Sequence, residues 1–335
     1  MSARPSALFV LDAKHLPMLF PPAVLSRLTA LADIDPGLVA ADFRDPRIGP
    51  LLPSLDVLIT GWGCPQVPSE VLAAAPRLRA VLHTGGSVRH LLPTREWQRG
   101  LVVSSAAAAN ALPVAEYTLA MILLAGKDTL GLADRLRAER RFTLGEIHPG
   151  IGNLGRRVGV IGASRIGRRV IELLRPFDFD VSLYDPYVDD AAAGRLGVRS
   201  SGLAELLADS DIVSVHAPAN DGTRHLIDRS GLALMRDGAV LINTSRGSLV
   251  DTGALTAELA AGRLRAVLDV TEPEPLPADS PLYGLPNVLL TPHIAGSHGN
   301  ELRRLGLTVV EELERLLAGA PLLHRVTPEQ LDRAA

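Results

Sequence analysis

Short runs rich in valine, isoleucine and leucine, each ending in a polar residue or glycine, alternate along this chain with longer stretches whose apolar residues recur every three or four positions. The first pattern is that of strands buried on both faces and the second that of amphipathic helices, so the alternation predicts βαβ units and a parallel sheet. In the first third, strands are expected at 7–11, 56–60, 78–83 and 102–104. A denser series follows at 157–161, 180–184, 212–216, 239–243, 265–269 and 288–291, enough for a doubly wound sheet of six parallel strands. Between the two series, residues 110–126 read as a helix, with Asn110 as N-cap, Pro113 in the first turn and Gly126 at the end. Its apolar residues run round nearly the whole circumference, which calls for burial between domains or against a second copy, so a homo-oligomer is expected. Residues 300–319 carry leucine and valine along one helical stripe.

At 335 residues the chain exceeds what one core serves, so two domains with a cleft between them are expected. Hydrophobic residues make up 47% and charged residues 21%, which excludes global disorder. The formal charge of -3 and the lack of a sustained basic stripe argue against a nucleic-acid partner. The densest basic stretch, 135–141, contains Glu139 and reads as a solvated helix face. A single cysteine, Cys64, points to a reducing compartment, and the five-residue apolar run near the N-terminus is too short for a signal-peptide core. No window of about 18 uninterrupted apolar residues occurs, so a cytoplasmic protein without a membrane partner is expected.

The strand at 157–161 leads into Gly162-Ala163-Ser164-Arg165-Ile166-Gly167 and then a helical run. A glycine turn between strand and helix lets the backbone approach a pyrophosphate, and the helix N-terminus supplies N–H donors. Asp185, at the end of the next strand and 18 residues beyond Gly167, is placed to accept the hydrogen bonds of an adenosine ribose diol. A carboxylate there repels the extra phosphate of NADP, which favours NAD. Ser164 stands where such turns carry their middle glycine, and its side chain either crowds the phosphate or hydrogen-bonds it.

Three later strands run directly into ionisable residues: Arg246 after 239–243, Glu272 and Glu274 after 265–269, and His293 after 288–291. Carboxyl ends of parallel strands line one edge of a sheet, so these groups can converge. Reduction of a 2-oxo acid needs an anion clamp, a proton donor to the carbonyl oxygen and a partner that orients that donor. Arg246 offers the charged planar fork, His293 the proton, and a glutamate the hold on the other imidazole nitrogen. A metal site is not expected, because His293 and His298 form the one close pair and no HExxH occurs. A serine hydrolase is excluded by the lack of GxSxG.

Four segments, HAPANDGTRHLID (216–228), LINTSRGSLVD (241–251), LDVTEPEPLP (268–277) and NVLLTPHIAGS (287–297), together resemble the D-isomer-specific 2-hydroxyacid dehydrogenase family in order and spacing, and the resemblance covers essentially the whole chain. It implies Arg246 as substrate-binding arginine, His293 as acid/base and Glu274, five residues beyond Asp269, as its partner, with Glu272 one step off. It implies a Rossmann NAD-binding domain over 105–294 and a smaller flavodoxin-like α/β substrate domain, discontinuous in sequence, built from 1–104 and 295–335. Cofactor contacts then fall to Gly162, Ser164, Arg165, Ile166, Gly167, Asp185, Pro218, Thr223, Thr244 and Asp269. Trp62, Gly85, Gly86 and Ser87 fall where the substrate is held. The implied activity is hydride transfer between NAD and a small D-2-hydroxy acid or 2-oxo acid, glyoxylate- or hydroxypyruvate-like, by a homodimer. Glu274 argues against a formate dehydrogenase, and no regulatory domain is expected after residue 335. Tyr117 departs from the histidine common after Ala-Glu in the long helix. The competing reading is a corepressor-like, dinucleotide-sensing interaction protein on the same fold.

Overall fold

The computed structural model describes residues 4–92, 100–142 and 150–328. In chain order its strands are β1 (Ala7–Val10), β2 (Val39–Ala40), β3 (Val57–Thr60), β4 (Ala80–His83), β5 (Val102–Ser105), β6 (Arg157–Ile161), β7 (Asp180–Tyr184), β8 (Arg199–Ser200), β9 (Ile212–Val215), β10 (Val240–Asn243), β11 (Arg265–Leu268), β12 (Val288–Leu290) and β13 (Arg325–Val326). They form two sheets, one in each of two compact units. The first unit takes residues up to Asn110 and those from Ser297 onward; the second is 111–296.

The first sheet has the order β13-β5-β4-β3-β1-β2, parallel except for β13, which pairs antiparallel with β5. This is the flavodoxin-like winding with one added edge strand. Alternate residues of its strands serve two cores: Phe9, Ile59 and Leu82 pack on one face, Leu8, Leu58 and Val81 on the other. Full burial of such a side chain contributes roughly 1.5–3 kcal/mol, and cover on both faces is why these strands read as unbroken apolar runs. The helix Leu302–Leu317 sets Leu305, Val309 and Leu313 against Phe9 and Phe20 in the first of these cores. Its buried Glu312 accepts the N–H groups of Leu323 (3.0 Å) and His324 (3.1 Å), which steers the chain into β13.

The second sheet runs β12-β11-β10-β9-β6-β7-β8, all parallel. The doubly wound Rossmann architecture is therefore present, with seven strands rather than the expected six; β8, two residues at the edge, is the addition. The order reverses between β6 and β9, and it is there that ligands of such sheets bind. Val158, Val160, Ile242 and Val267 face one core, Ile161, Val213, Leu241 and Leu268 the other.

Asn110 is not an N-cap. The helix begins at Ala107 and runs to Gly126, so Asn110 lies inside it and spends its side-chain oxygen on the Ser297 N–H, 2.9 Å away. The two compact units divide at 110/111 and 296/297, where 104/105 and 294/295 were expected, and Asn110 and Ser297, joined by this bond, both belong to the first. Among the described residues this helix alone has the length and apolarity to cross a bilayer, yet Ala115 and Ile122 are buried with Val158 and Val160 in the core of the second sheet. Residues 329–335, assigned to the substrate domain by the sequence, lie outside the described residues.

Candidate active site

At the end of β6 the chain turns at Gly162, whose φ of +96° is the left-handed region that favours glycine, and a Cβ there would stand 2.6 Å from the Ala217 nitrogen. Gly167 closes the turn, with the Gly162 carbonyl where its side chain would be. Ser164 takes a further role, as a helix cap. Its φ and ψ of -62° and 178° suit any residue, and its Oγ accepts the Gly167 N–H at 3.2 Å, capping the helix Arg165–Leu174. The Asp185 carboxylate accepts the Ala163 N–H (2.6 Å) and the Tyr187 N–H (2.8 Å), tying the turn to the end of β7; each oxygen keeps a lone pair for a ribose hydroxyl. Arg165 is exposed at the start of the helix, while Ile166 packs inward against the core. Beyond β9, Thr223 Oγ1 donates to the Pro218 carbonyl (2.6 Å) and accepts the Asn220 N–H (2.9 Å), closing the loop that carries both residues. A turn that a Cβ would fill, a capped helix start and an acceptor at the neighbouring strand end fit a dinucleotide.

Arg246, Glu274 and His293 follow β10, β11 and β12, which are adjacent in the sheet. Asn243 fixes the first of these ends: its Nδ2 donates to the Arg246 carbonyl (2.8 Å) and its Oδ1 accepts the Ser245 N–H (3.0 Å). The guanidinium is exposed and has Nη1 2.6 Å from the Ser245 carbonyl. Gly247 has no room for a side chain, because a Cβ would fall on the Thr271 carbonyl; that close approach packs the arginine loop on the glutamate segment. Thr244 is buried, with its hydroxyl 3.1 Å from that of Thr118.

His293 Nδ1 lies 2.6 Å from Glu274 Oε1. Glu274 and not Glu272 holds the imidazole; Glu272 pairs with Arg224 at 2.7 Å, and that hydrogen bond, ahead of the others it makes, holds its carboxyl below the ordinary glutamate value. His293 has φ +55°, a region that costs a non-glycine residue about 1 kcal/mol or more. Its N–H donates to the Asp269 carbonyl (2.9 Å) and also lies 3.0 Å from the Thr291 carbonyl. The Asp269 carboxylate, 2% exposed, accepts from Thr291 Oγ1 (2.6 Å), Ile294 N–H (2.8 Å) and Ala295 N–H (2.9 Å). Asp269 thus organises the histidine loop, a role its sequence position did not disclose. Tyr117 joins the network, its hydroxyl 2.8 Å from Thr291 Oγ1; burial raises its phenol above the ordinary value.

In the first unit, Trp62 and Gly85-Gly86-Ser87 follow the adjacent strands β3 and β4. The Trp62 carbonyl accepts the Asp12 N–H (2.8 Å), and its ring meets His15 edge-on at 5.4 Å. Beneath the glycine pair, His83 is buried with Nδ1 2.9 Å from Thr60 Oγ1, and burial pushes its pKa down to about 3. This pair was not foreseen; histidine at a strand end was the available signal. Cys64 is buried, its thiol pushed up to about 12. Among the described residues, no group of three or more His, Cys, Asp or Glu could hold a metal ion.

Residues 119–295 match the family described as D-isomer specific 2-hydroxyacid dehydrogenase, NAD binding domain. The chain is 36% identical over 296 residues to the D-3-phosphoglycerate dehydrogenase of Mycobacterium bovis, covering 88% of this chain and 55% of that protein. It therefore spans about half the length of the curated phosphoglycerate dehydrogenases it matches. Against the (S)-sulfolactate dehydrogenase of Chromohalobacter salexigens identity is 36% over 257 residues, 75% of this chain and 82% of the relative. The crystal structure of D-lactate dehydrogenase from Aquifex aeolicus, complexed with NAD and lactic acid, superposes with a TM-score of 0.72 at 28% identity, over 94% of this chain and 96% of that one. With the glycine turn, the Asp185 strand end and the Arg246, Glu274 and His293 edge all lying on one such sheet, the chain belongs to the D-isomer specific 2-hydroxyacid dehydrogenase family, with NAD as its dinucleotide.

Proposed function

We propose that this chain is an NAD-dependent D-2-hydroxyacid dehydrogenase acting on a small 2-oxo acid of the glyoxylate or hydroxypyruvate kind. The observation that carries the reading is the 2.6 Å contact between His293 Nδ1 and Glu274 Oε1. A carboxylate only accepts, so Nδ1 bears the hydrogen of that bond and Nε2 is left as the atom that exchanges a proton. Arg246, its backbone locked by Asn243 and its guanidinium exposed, binds the substrate carboxylate and polarises the carbonyl. When bound, the nicotinamide supplies or accepts the hydride at the substrate carbon. In reduction His293 Nε2 gives its proton to the carbonyl oxygen, leaving the hydroxyl; in oxidation it takes that proton back. Glu274 keeps the imidazole oriented through both steps.

The cofactor is held by the Gly162–Gly167 turn, the Arg165 helix start, Asp185, the Pro218–Thr223 loop, and the Thr244 and Asp269 strand ends. Trp62 and Gly85-Gly86-Ser87 shape the substrate side. A homodimer is supported by the helix Ala107–Gly126, which leaves Leu119, Leu123 and Leu124 half-buried, and by the exposed Leu136, Phe142 and Leu154 of the same unit. The lone cysteine supports a reducing, cytoplasmic setting. The test is a panel of 2-oxo acids followed by NADH oxidation, with sedimentation for the dimer. Turnover of a small 2-oxo acid that is lost in His293→Gln is the expected result; no turnover of any acid with NADH or NADPH overturns the reading.

A further inference from the structure

We propose that Tyr117, on the long helix, is a positioning residue for the His293 loop, acting through Thr291 and Asp269. The inference rests on the reading of His293 as the proton-exchanging group.

The direction of the chain of hydrogen bonds is forced. The Asp269 carboxylate can only accept, so Thr291 spends its one hydroxyl proton on Asp269 Oδ1 at 2.6 Å. Thr291 Oγ1 then has only acceptor capacity left, and the Tyr117 phenol, 2.8 Å away, must be the donor. From Asp269 the order passes to the backbone: its carbonyl takes the N–H of His293, and its carboxylate the N–H groups of Ile294 and Ala295. Three consecutive N–H groups of the catalytic loop thus end on one buried residue, whose Oδ1 is fixed from the far side by the tyrosine–threonine pair. A left-handed residue such as His293, φ +55°, persists only where its surroundings over-determine it. Tyr117 stands 174 residues from Thr291 in sequence, so the link fastens the loop to a helix of the same unit rather than to its own strand.

The experiment uses the full-length protein and three variants: Tyr117→Phe, which removes one hydroxyl; Thr291→Val, which breaks both bonds; and Thr291→Ser, which keeps them. Amide exchange of the 290–296 segment is read by mass spectrometry, beside kcat, KM and the NADH dissociation constant. A net hydrogen bond corresponds to a factor of roughly three to ten, so Tyr117→Phe is expected to speed exchange and lower kcat by about that factor, with NADH binding within about twofold. Thr291→Val should do as much or more, Thr291→Ser should stay within about twofold of the parent, and adding Tyr117→Phe to Thr291→Val should change nothing further. Unchanged exchange in Tyr117→Phe overturns the proposal whatever Thr291→Val does, as does full additivity of the two. Exchange is read without turnover, so a failure of the dehydrogenase reading shows as an inactive parent and leaves this result legible. Should Tyr117→Phe fail to fold, Tyr117→Met, which also removes the hydroxyl, is read in its place against the same Thr291 variants.

Discussion

His293 Nδ1 sits 2.6 Å from Glu274 Oε1 while the main chain of the same histidine is held by Asp269, so ring and backbone are fixed by different residues of one segment. On the proposed mechanism, losing the ring removes the proton donor, so His293→Gln is expected to lower kcat by roughly 10²–10⁴. Glu274→Gln keeps the shape and loses the charge, and a fall of about 10- to 100-fold is expected. NADH binding, followed by fluorescence, should hold in both; a Glu274→Gln enzyme with parental kcat would remove the glutamate from the mechanism.

Gly247 and Gly253 lie six residues apart and should respond oppositely to alanine. At Gly247 the new methyl meets the Thr271 carbonyl, and a loss of about 2 kcal/mol or more is expected, together with activity, as the arginine loop is pushed off the glutamate segment. At Gly253, in the helix Thr252–Ala260, the nearest neighbour is Asp251 Oδ1 at 3.5 Å, so alanine fits and should stabilise by about 0.5–1 kcal/mol. Chemical denaturation of the two variants measures both signs.

Ser164 caps a helix, so its replacement should register in stability rather than in affinity. Ser164→Ala is expected to cost about 1 kcal/mol and Ser164→Gly a few tenths. NADH titration should give dissociation constants within about threefold of the parent, since about 0.7 kcal/mol is the threshold a lost weak contact would cross. Tenfold tighter binding by Ser164→Gly would instead show that the hydroxymethyl group stands in the way of the phosphates.

Acid should destabilise both units. Burial pushes the His83 and His216 pKa values down to about 3, from the 6.5 of a free side chain. Both folded values are depressed, so the unfolded chain binds protons that the folded one refuses. The contribution is complete above about pH 6.5 and is lost as the pH falls toward the folded values, by up to about 1.4 kcal/mol per pH unit for each histidine. Urea unfolding between about pH 7.5 and about pH 4.5 should show the slope, and His216→Gln should flatten it. A flat profile in the parent protein contradicts the neutral, buried state of these imidazoles.

The fold was legible where the pattern is long. Strands such as β6 and β10 are covered on both faces and so stand out as apolar runs, whereas β2, β8 and β13 are two residues each and carry no period to read. Asn110 has the chemistry of an N-cap, but a tertiary partner, the Ser297 N–H, competes for its side chain and wins. In the candidate site, the placing of Arg246, Glu274 and His293 after adjacent strands was legible because a parallel sheet gathers strand ends on one edge. Asp269 was seen only as a strand end beside the cofactor, since its role depends on which N–H groups the tertiary fold delivers to it. Ser164 carries a second signal beside its departure from the glycine turn: a serine three residues before the next glycine of a helix start is an N-cap pattern, and its Oγ caps the helix Arg165–Leu174.

The bond between Asn110 and Ser297 also says what kind of object the second unit is. The chain leaves the first unit and returns to it at two residues within hydrogen-bonding distance of each other, so residues 111–296 form a cassette inserted at a single point. A short bridge from 110 to 297 would rejoin the two parts of the first unit, cutting the helix Ala107–Gly126 after its first turn.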